Sequence, residues 1–150
     1  MTLSIVTVAD SISKLSVTGV TIKDLDEIPE RAVGFDCPMV YPSPDGFVSN
    51  FEVERMAMAS GASNVWNITY NLNYRFLHSE LGEGLGLFDI YDDMVDKVMD
   101  FVDKMLVSDA VTGCVDLTVE DISSFGPVSD PSGSMFHGCD ISFAVLEFEV

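Results

Sequence analysis

The segment 65–77 constrains the fold of this chain most, because its side chains alternate between apolar and polar without a break. The apolar positions are Trp66, Ile68, Tyr70, Leu72, Tyr74 and Phe76, and the polar positions are Asn67, Thr69, Asn71, Asn73 and Arg75. Successive side chains of a β-strand point to opposite faces, so this period of two predicts a long strand with one buried face. Two interpretations of the polar face stay open: ordinary exposure to solvent, or a lining that faces a ring lumen or a partner subunit.

Two other segments have the spacing of amphipathic helices. Residues 3–16 place Ile5, Val8 and Ile12 on one side, which predicts a short N-terminal helix. Residues 87–107 predict a long helix with an apolar stripe and an opposite face rich in aspartate. The six aspartates of that face are Asp89, Asp92, Asp93, Asp96, Asp100 and Asp103. Such a run of charge is typical of a solvated helix face.

The remaining periodic segments predict strands. They cover 32–41 (a possible edge strand broken by Pro38), 47–58, 114–122 and 136–150, while 125–135 predicts a loop. At Val145-Leu146 the alternation slips by one residue, which predicts a bulge or a strand that leaves one sheet to pair with a neighbour. The order of elements predicts an α+β fold: a mainly antiparallel sheet, with the long helix (about 87–107) and the short N-terminal helix packed on one face.

Composition limits the classes of protein that this chain can represent. Its 150 residues suit one domain over 1–150. With 25 acidic and 7 basic residues the net charge is −18, which argues against a grip on nucleic acid phosphates or on anionic membranes. The hydrophobic fraction of 47% argues against disorder. A mean hydropathy of +0.28 is high for such a charged chain and favours a self-associating subunit, with a generous core as the alternative.

No pattern for a metal site, a membrane span or secretion is present. The three cysteines, Cys37, Cys114 and Cys139, are far apart, and the only histidines are His78 and His137. A structural zinc site needs closely paired ligands, so we interpret the cysteines as small buried hydrophobic residues in a reducing compartment. No run of about 18 apolar residues predicts a membrane span. The N-terminus lacks the positive charge of a signal peptide.

Three further segments were weighed as chemical sites. The glycines of Gly82–Gly86 are spaced GxGxG, and Glu83 would repel a phosphate, so a flexible connector is favoured over nucleotide binding. The loop 129–134 lacks the ligands of an EF-hand and predicts a turn. A catalytic dyad of His137 with Cys114 or Cys139 has no supporting motif, so a structural histidine is favoured. We therefore expect no enzyme activity, no metal and no cofactor.

Several features in order carry a family resemblance. They are the N-terminal helix, the extended segment Cys37–Pro42 followed by a hairpin, the strand Trp66–Phe76, the helix Leu87–Leu106, and the ending from Phe125-Gly126 through Phe136-His137-Gly138-Cys139 to Phe143. In the order of these elements, in its length and in its general residue pattern, nearly the whole chain resembles the tail-terminator or tail-completion proteins of long-tailed bacteriophages. The resemblance rests on no diagnostic motif.

The resemblance implies a structural virion protein of the tail or neck, assembled in the host cytoplasm. Such a subunit forms a ring, usually a hexamer, that caps the tail tube, ends its polymerisation and offers a surface for head attachment. The implied partners are further copies of the chain, the tail tube protein and a head–tail connector protein. DNA would pass through the lumen without being bound, and no catalysis, cofactor or membrane is implied. The scarcity of basic residues departs from expectation, because it leaves few salt-bridge donors between neighbouring subunits.

The sequence also leaves other functions open and offers candidate contact residues. The alternative within this class is another head–tail connector or a minor tail protein. The alternative from another class is a small cytosolic ligand-binding module or an uncharacterised enzyme that uses a cleft near the Gly-rich step. The candidate subunit or partner contacts are Tyr41, Pro42, Phe47, Arg55, Arg75, Phe136 and His137. The aromatic residues are expected to be exposed on two proline-containing loops. The two arginines are candidate donors to carboxylates of a neighbouring subunit, with pairing inside the subunit as an open alternative.

Overall fold

One seven-stranded sheet and two α-helices make up the described part of the chain. The structure is a computed structural model that describes residues 3–32, 36–56, 65–82, 87–107 and 111–149. The helices are α1 (Ile5–Ser13) and α2 (Leu87–Leu106), and Leu25–Glu27 forms a 3₁₀ turn. The strands are β1 (Thr21–Ile22), β2 (Met39–Pro42), β3 (Val48–Met56), β4 (Val65–Glu80), β5 (Asp116–Ile122), β6 (Gly126–Ser129) and β7 (Met135–Glu149).

The two longest strands, β4 and β7, form the centre of the sheet. They pair antiparallel in one unbroken register from Trp66 opposite Glu149 to Leu77 opposite Gly138. Strands β2 and β3 pair along the other edge of β4, and strands β5 and β6 pair along the other edge of β7. All of these pairs are antiparallel, and only the short pair of β1 with β2 is parallel. The prediction of an α+β fold with a mainly antiparallel sheet is therefore confirmed.

The alternation of 65–77 forms the main core as predicted. Ile68, Tyr70, Leu72, Tyr74 and Phe76 are all at most 1% exposed, and they share a hydrophobic cluster with residues of both helices. From α1 the cluster takes Val8 and Ile12, and from α2 it takes Met94, Val98, Phe101, Val102 and Met105. Three aromatic rings, those of Tyr74, Phe101 and Phe143, meet edge to face with centroids about 6 Å apart.

The predicted slip at Val145-Leu146 is wrong. Strand β7 keeps its register with β4 through these residues, so the inward face continues from Val145 to Glu147, which is 2% exposed. Leu146 and Phe148 instead lie on the opposite face, where Phe148 is 47% exposed. At the end of β7 a polar side chain therefore faces inward and apolar side chains face outward, although the strand itself is unbroken. The register shift between β4 and β7 falls between Leu77 and Ser79.

Other sequence predictions differ from the structure at their boundaries. The segment 125–135, predicted as a loop, contains strand β6, and the predicted edge strand 32–41 contributes only β2 at its end. The end of the predicted strand 47–58 and most of the Gly82–Gly86 segment lie outside the described residues.

A second, smaller cluster covers one end of the opposite sheet face. Its buried members are Ala32, Met39, Tyr41, Leu77 and Phe136. Gly138 lies beside this cluster, and a Cβ there would fall on the carbonyl oxygen of Phe76 and against the side chain of Val128. Only glycine lets β7 approach β4 this closely. The rest of this face carries mostly polar side chains, with Leu146 and Phe148 towards its other end.

Candidate functional site

The open part of the polar sheet face forms a trough between two edge strands. Its floor consists of Thr69, Asn71 and Asn73 from β4 with Ser142 and Ala144 from β7, and its walls are Asn50 and Glu52 from β3 and Asp116, Thr118, Glu120 and Asp121 from β5. We call these eleven residues the acidic trough. It holds two depressions of about 390 and 330 Å³ that share Asn50, Asn71 and Glu120. The floor side chains are small or short, which leaves room above the sheet.

A bulge in each edge strand accounts for the walls. The register of β3 with β4 shifts between Ser49 and Glu52, and Asn50 there has a left-handed φ of 51°. The register of β5 with β7 shifts between Val119 and Asp121, so Glu120 is the extra residue. Bulges bend a strand and increase its twist. Each edge therefore lifts a polar side chain beside the floor.

The trough is strongly negative. Its acidic members are Glu52, Asp116, Glu120 and Asp121, and neither depression is lined by a lysine or an arginine. None of these four carboxylates forms a salt bridge with a described residue. They are therefore open to a cation from outside the chain.

Two asparagines on the floor differ in how their amides are satisfied. Asn73 donates to the Gly46 carbonyl at 3.0 Å and to Ser49 Oγ at 2.9 Å, and its own oxygen accepts from Ser142 Oγ at 2.7 Å. Asn71 is only 9% exposed and lines both depressions, yet its side-chain amide bonds to no other described residue. The Asn71 amide faces these depressions, whereas Asn67 Oδ1, further along the same strand face, is buried without a hydrogen-bond partner in the described structure.

Arg75 closes one end of the polar face. Its guanidinium donates to Asp140 Oδ1 at 2.8 Å, to Asp45 Oδ2 at 2.7 Å and to the Ser129 carbonyl at 3.1 Å. The hydrogen bond that Arg75 donates to Asp140 raises the pKa of Arg75 further above its ordinary value, and burial opposes that effect. Arg75 was a candidate donor to a neighbouring subunit. It is 7% exposed and pairs inside its own subunit, which was the alternative left open.

The other candidate contact residues are mostly buried. Tyr41 and Phe136 are 0% and 1% exposed, so the expectation that they are exposed is wrong: both pack in the second cluster. Pro42 and His137 are also buried. Phe47 is half-buried, with its ring edge-to-face on Tyr74 at 5.4 Å. Arg55 is exposed on β3. The sequence could not place these side chains because their burial depends on segments distant in the chain.

A polar cluster links the end of β4 to α2. Asp93 of the helix receives Lys97 Nζ on one oxygen and His78 Nε2 on the other, both at 2.6 Å, and His78 Nδ1 lies 3.1 Å from Ser79 Oγ. The hydrogen bond from Lys97, followed by that from His78, lowers the pKa of Asp93. The order Ser–His–Asp matches a nucleophile with its base, but Ser79 is only 9% exposed. Through the bond between His78 and Asp93 the cluster joins the end of β4 to α2.

Glu147 is a buried, hydrogen-bonded carboxylate that no sequence pattern predicted. Its buried carboxylate accepts from Tyr70 Oη at 2.5 Å and from the Ser4 backbone N–H at 3.0 Å. Ser4 is the N-cap of α1, where backbone N–H groups and the helix dipole favour a negative charge. The carboxylate thus holds the N-terminal helix against the sheet. The only signal in the sequence was the unexplained glutamate at an inward position of the last strand.

The loop 129–134 forms a turn, as predicted, and Asp130 ties it to Ala32. Asp130 Oδ1 accepts from Ser132 and Ser134, and Oδ2 accepts from the Ala32 N–H at 2.8 Å. Burial alone would raise the pKa of Asp130, but these hydrogen bonds together lower it. Both carboxylate oxygens are used inside the protein.

Burial governs the environments of the cysteines and of His137. Cys139 is buried, as predicted, while Cys37 and Cys114 are half-buried, and all three are free thiols. Burial raises the pKa of Cys139 to about 12, and burial followed by the charges of Glu147 and Asp116 raises the pKa of Cys114. Burial also lowers the pKa of His137. Among the described residues, no group of three or more His, Cys, Asp or Glu side chains could hold a metal ion.

Comparison with known proteins does not assign a family. No protein-family model matches this chain, and no curated protein sequence matches it. No helix in the described ranges is both long and apolar enough to span a bilayer.

Proposed function

We propose that this chain is a tail-terminator or tail-completion protein of a long-tailed bacteriophage. Its single domain over 1–150, with the long helix of about 87–107 and the short N-terminal helix on one face of the sheet, is one subunit of a hexameric ring. The ring caps the tail tube, ends tail polymerisation and forms the neck surface for head attachment. Its partners are further copies of itself, the tail tube protein and a head–tail connector protein. It belongs to the virion and assembles in the host cytoplasm.

A group of exposed apolar side chains at one end of the sheet carries the proposal. We call this group the apolar end; each member is between 46% and 58% exposed, and the members are Phe51, Val53, Leu106, Val107, Val115 and Phe148. Scattered apolar residues are ordinary on a protein surface, but a cluster of them marks an interface.

The register places these side chains at the same end of the sheet, on its two edges and both faces. Phe51 and Val53 belong to the edge strand β3, Val115 comes just before the other edge strand, β5, and Phe148 pairs with Asn67 on the polar face. On the far side of β7, the Val115 N–H donates to the Leu146 carbonyl. Leu106 and Val107, at the C-terminal end of α2, line a depression together with Val115. Because the subunit has few lysines and arginines for salt bridges, contacts between its copies would rely on apolar surface of this kind. Arg55, which pairs with Trp66 at this end, and Phe47, which packs on Tyr74, remain proposed contacts.

The charge of the chain supports passage of DNA without binding. A net charge of −18 and an acidic trough without lysine or arginine both repel phosphates. Binding through counterion release needs the opposite charge. A ring through which DNA moves has to avoid such binding.

The oligomeric state tests the proposal. Size-exclusion chromatography with light scattering, followed by negative-stain microscopy, is expected to give a closed ring of about six 16.4 kDa subunits. The double variant Phe51→Ser/Val53→Ser is expected to be monomeric. The matched control Val95→Ser/Met99→Ser removes two apolar side chains that are exposed on α2, at 39% and 43%, and is expected to keep the ring.

A stable monomer at every concentration whose melting temperature rises with a small-molecule ligand would overturn the proposal, since that outcome favours a ligand-binding module. A ring that survives Phe51→Ser/Val53→Ser unchanged would keep the ring but contradict the apolar end as its contact.

A further inference from the structure

We propose that the apolar end holds two different surfaces that bind each other between copies, so that one edge of the sheet docks against the opposite edge of the next subunit. This inference rests on the proposed function and deepens it, because it names the two surfaces that meet. The β3 surface consists of Phe51, Val53 and Arg55. The α2/β5 surface consists of Leu106, Val107 and Val115.

The apolar side chains of the β3 surface face the helices but are not covered by them. The Phe51 ring stacks on the ring of Tyr70 at 5.8 Å, and Val53 pairs with Ile68, and both of these partners are core residues. Phe51 and Val53 are nevertheless each 46% exposed. The helices therefore cover the centre of the sheet and leave this edge without an apolar neighbour from its own chain.

The two surfaces lie too far apart to cover each other within one copy. In the described structure β3 pairs only with β4, and β5 pairs only with β7, so they form opposite edges of a sheet that is four strands wide at this end. At a strand spacing of about 4.8 Å, the two edges are roughly 14 Å apart. Contact between unlike edges is head-to-tail, and its repetition gives a closed ring or an open filament.

The shapes of the two surfaces are complementary. The α2/β5 surface borders a depression of about 160 Å³ between the end of α2 and the start of β5, and its lining also includes Val111 and Leu117. The β3 surface is an edge strand whose residues from Asn50 to Arg55 are all exposed. An edge strand with outstanding apolar side chains fits a shallow apolar depression.

The charges of the two surfaces are complementary as well. Arg55 pairs with Trp66, two residues from the pair of Val53 with Ile68, so its side chain lies on the same sheet face as Val53. Opposite it, α2 ends at Leu106, where a helix carries a partial negative charge, and the carboxylate of Asp116 lines the same depression. Docking of unlike edges therefore brings a cation to a negative helix end.

Contact between like edges lacks this match. Two β3 surfaces would bring together two copies of Arg55, with Glu52 and Glu54 beside Val53 on both strands. Two α2/β5 surfaces would bring together two helix C-terminal ends and two copies of Asp116. Juxtaposition of like charges opposes binding and selects against such contacts.

A pair of complementary variants tests the docking. Phe51→Ser/Val53→Ser damages the β3 surface and keeps the α2/β5 surface, whereas Leu106→Ser/Val115→Ser does the reverse. By analytical ultracentrifugation, each variant alone is expected to be a monomer that self-associates roughly fiftyfold more weakly than wild type, because each loses two half-buried apolar contacts. The control Val95→Ser/Met99→Ser, on an exposed side of α2, is expected to self-associate like wild type.

Mixing the two variants gives the decisive result. An equimolar mixture is expected to form a dimer with one chain of each kind, because one intact surface of each type remains, and to grow no further. Native mass spectrometry identifies this composition from the different masses of the two variants. The dimer also shows that neither pair of substitutions prevents folding. As a milder variant, Arg55→Glu keeps the apolar side chains and is expected to weaken self-association about tenfold.

Three results would overturn the docking. A dimer of either variant alone would show that the remaining surface binds its own kind. A wild-type assembly that stops at two chains would show a two-fold contact. A mixture that stays monomeric while wild type forms a ring would place the contact elsewhere and leave the ring proposal intact. The mixed dimer together with an open wild-type filament would have the opposite meaning, since the docking would stand and the closed ring would be contradicted.

Discussion

The bond between Tyr70 and Glu147 gives the sharpest test of how the core holds α1. Tyr70→Phe removes one hydroxyl and leaves the ring in place. Glu147, 2% exposed, then keeps only the N–H of Ser4 as a partner and has no access to solvent that could replace the lost bond. A hydrogen bond to a charged group contributes about 1.5–3 kcal/mol, and we expect this much loss in the free energy of unfolding.

The matched control lies four residues along the same strand face. Tyr74 is 0% exposed, and its hydroxyl has no hydrogen-bond partner in the described part of the chain. Tyr74→Phe therefore removes an unsatisfied group and is expected to leave stability unchanged or to raise it by up to about 1 kcal/mol. The same Tyr→Phe change should therefore lower the free energy of unfolding at position 70 and leave it unchanged or raise it at position 74.

Urea unfolding followed by tryptophan fluorescence and circular dichroism measures both variants. A loss of 1.5–3 kcal/mol in Tyr70→Phe corresponds to a fall of roughly 3–12 °C in melting temperature for a domain of this size. The slope against urea is expected to stay constant, because the folded and unfolded surfaces barely change. Equal effects of the two variants, within about 0.5 kcal/mol, would refute the reasoning, since burial of the ring and not the bond to Glu147 would then set stability.

Two further predictions follow from the packing. Gly138→Ala is expected to cost more than about 3 kcal/mol, because its Cβ would meet the backbone of β4, while Gly126→Ala on β6, where a Cβ meets nothing within 4 Å, should cost less than about 1 kcal/mol in the same urea assay. Burial raises the pKa of three core tyrosines, Tyr41, Tyr70 and Tyr74. Above about pH 10 each of them loses its proton in the unfolded state but keeps it in the folded state, so each lowers the free energy of unfolding by about 1.4 kcal/mol per pH unit. We expect stability to hold from pH 7 to 9 and to fall steeply from pH 10 to 12, and phenolate absorbance at 295 nm that develops from these tyrosines before unfolding would contradict this expectation.

The sequence predicted a strand wherever apolar side chains occupy one face and polar side chains the other. The alternation of 65–77 predicted β4 and its buried face, because burial on one side of a sheet forces a period of two. The same argument predicted β5 and the first part of β7. It failed at Val145-Leu146, where Glu147 occupies an inward position. A buried glutamate is tolerated only with partners, and those partners, Tyr70 and Ser4, are distant in the chain.

The contact residues illustrate a different limit. Tyr41 and Phe136 were expected on the surface, because prolines and turn residues surround them. In the structure they share a cluster with Leu77, and Arg75 binds Asp45 and Asp140 beside it. Turn chemistry predicts where a chain bends, but it does not predict whether another segment covers the bend. That information lies in contacts between parts of the chain that no local pattern encodes.

The polar face of β4 shows why the two interpretations of the alternation could not be separated by pattern alone. A period of two fixes which face a side chain occupies, but it says nothing of what lies above that face. Arg75 and Asn73 are bound by groups from β6, β7 and the segment before β3, so at that end the polar residues are structural. Asn71, two residues away on the same face, has no such partners, and its amide faces the trough between walls that carry four carboxylates. Ordinary exposure to solvent therefore describes the Asn71 end of the face but not the Arg75 end, where groups from other segments cover the polar side chains. One period of two thus covers two different environments along the same strand face.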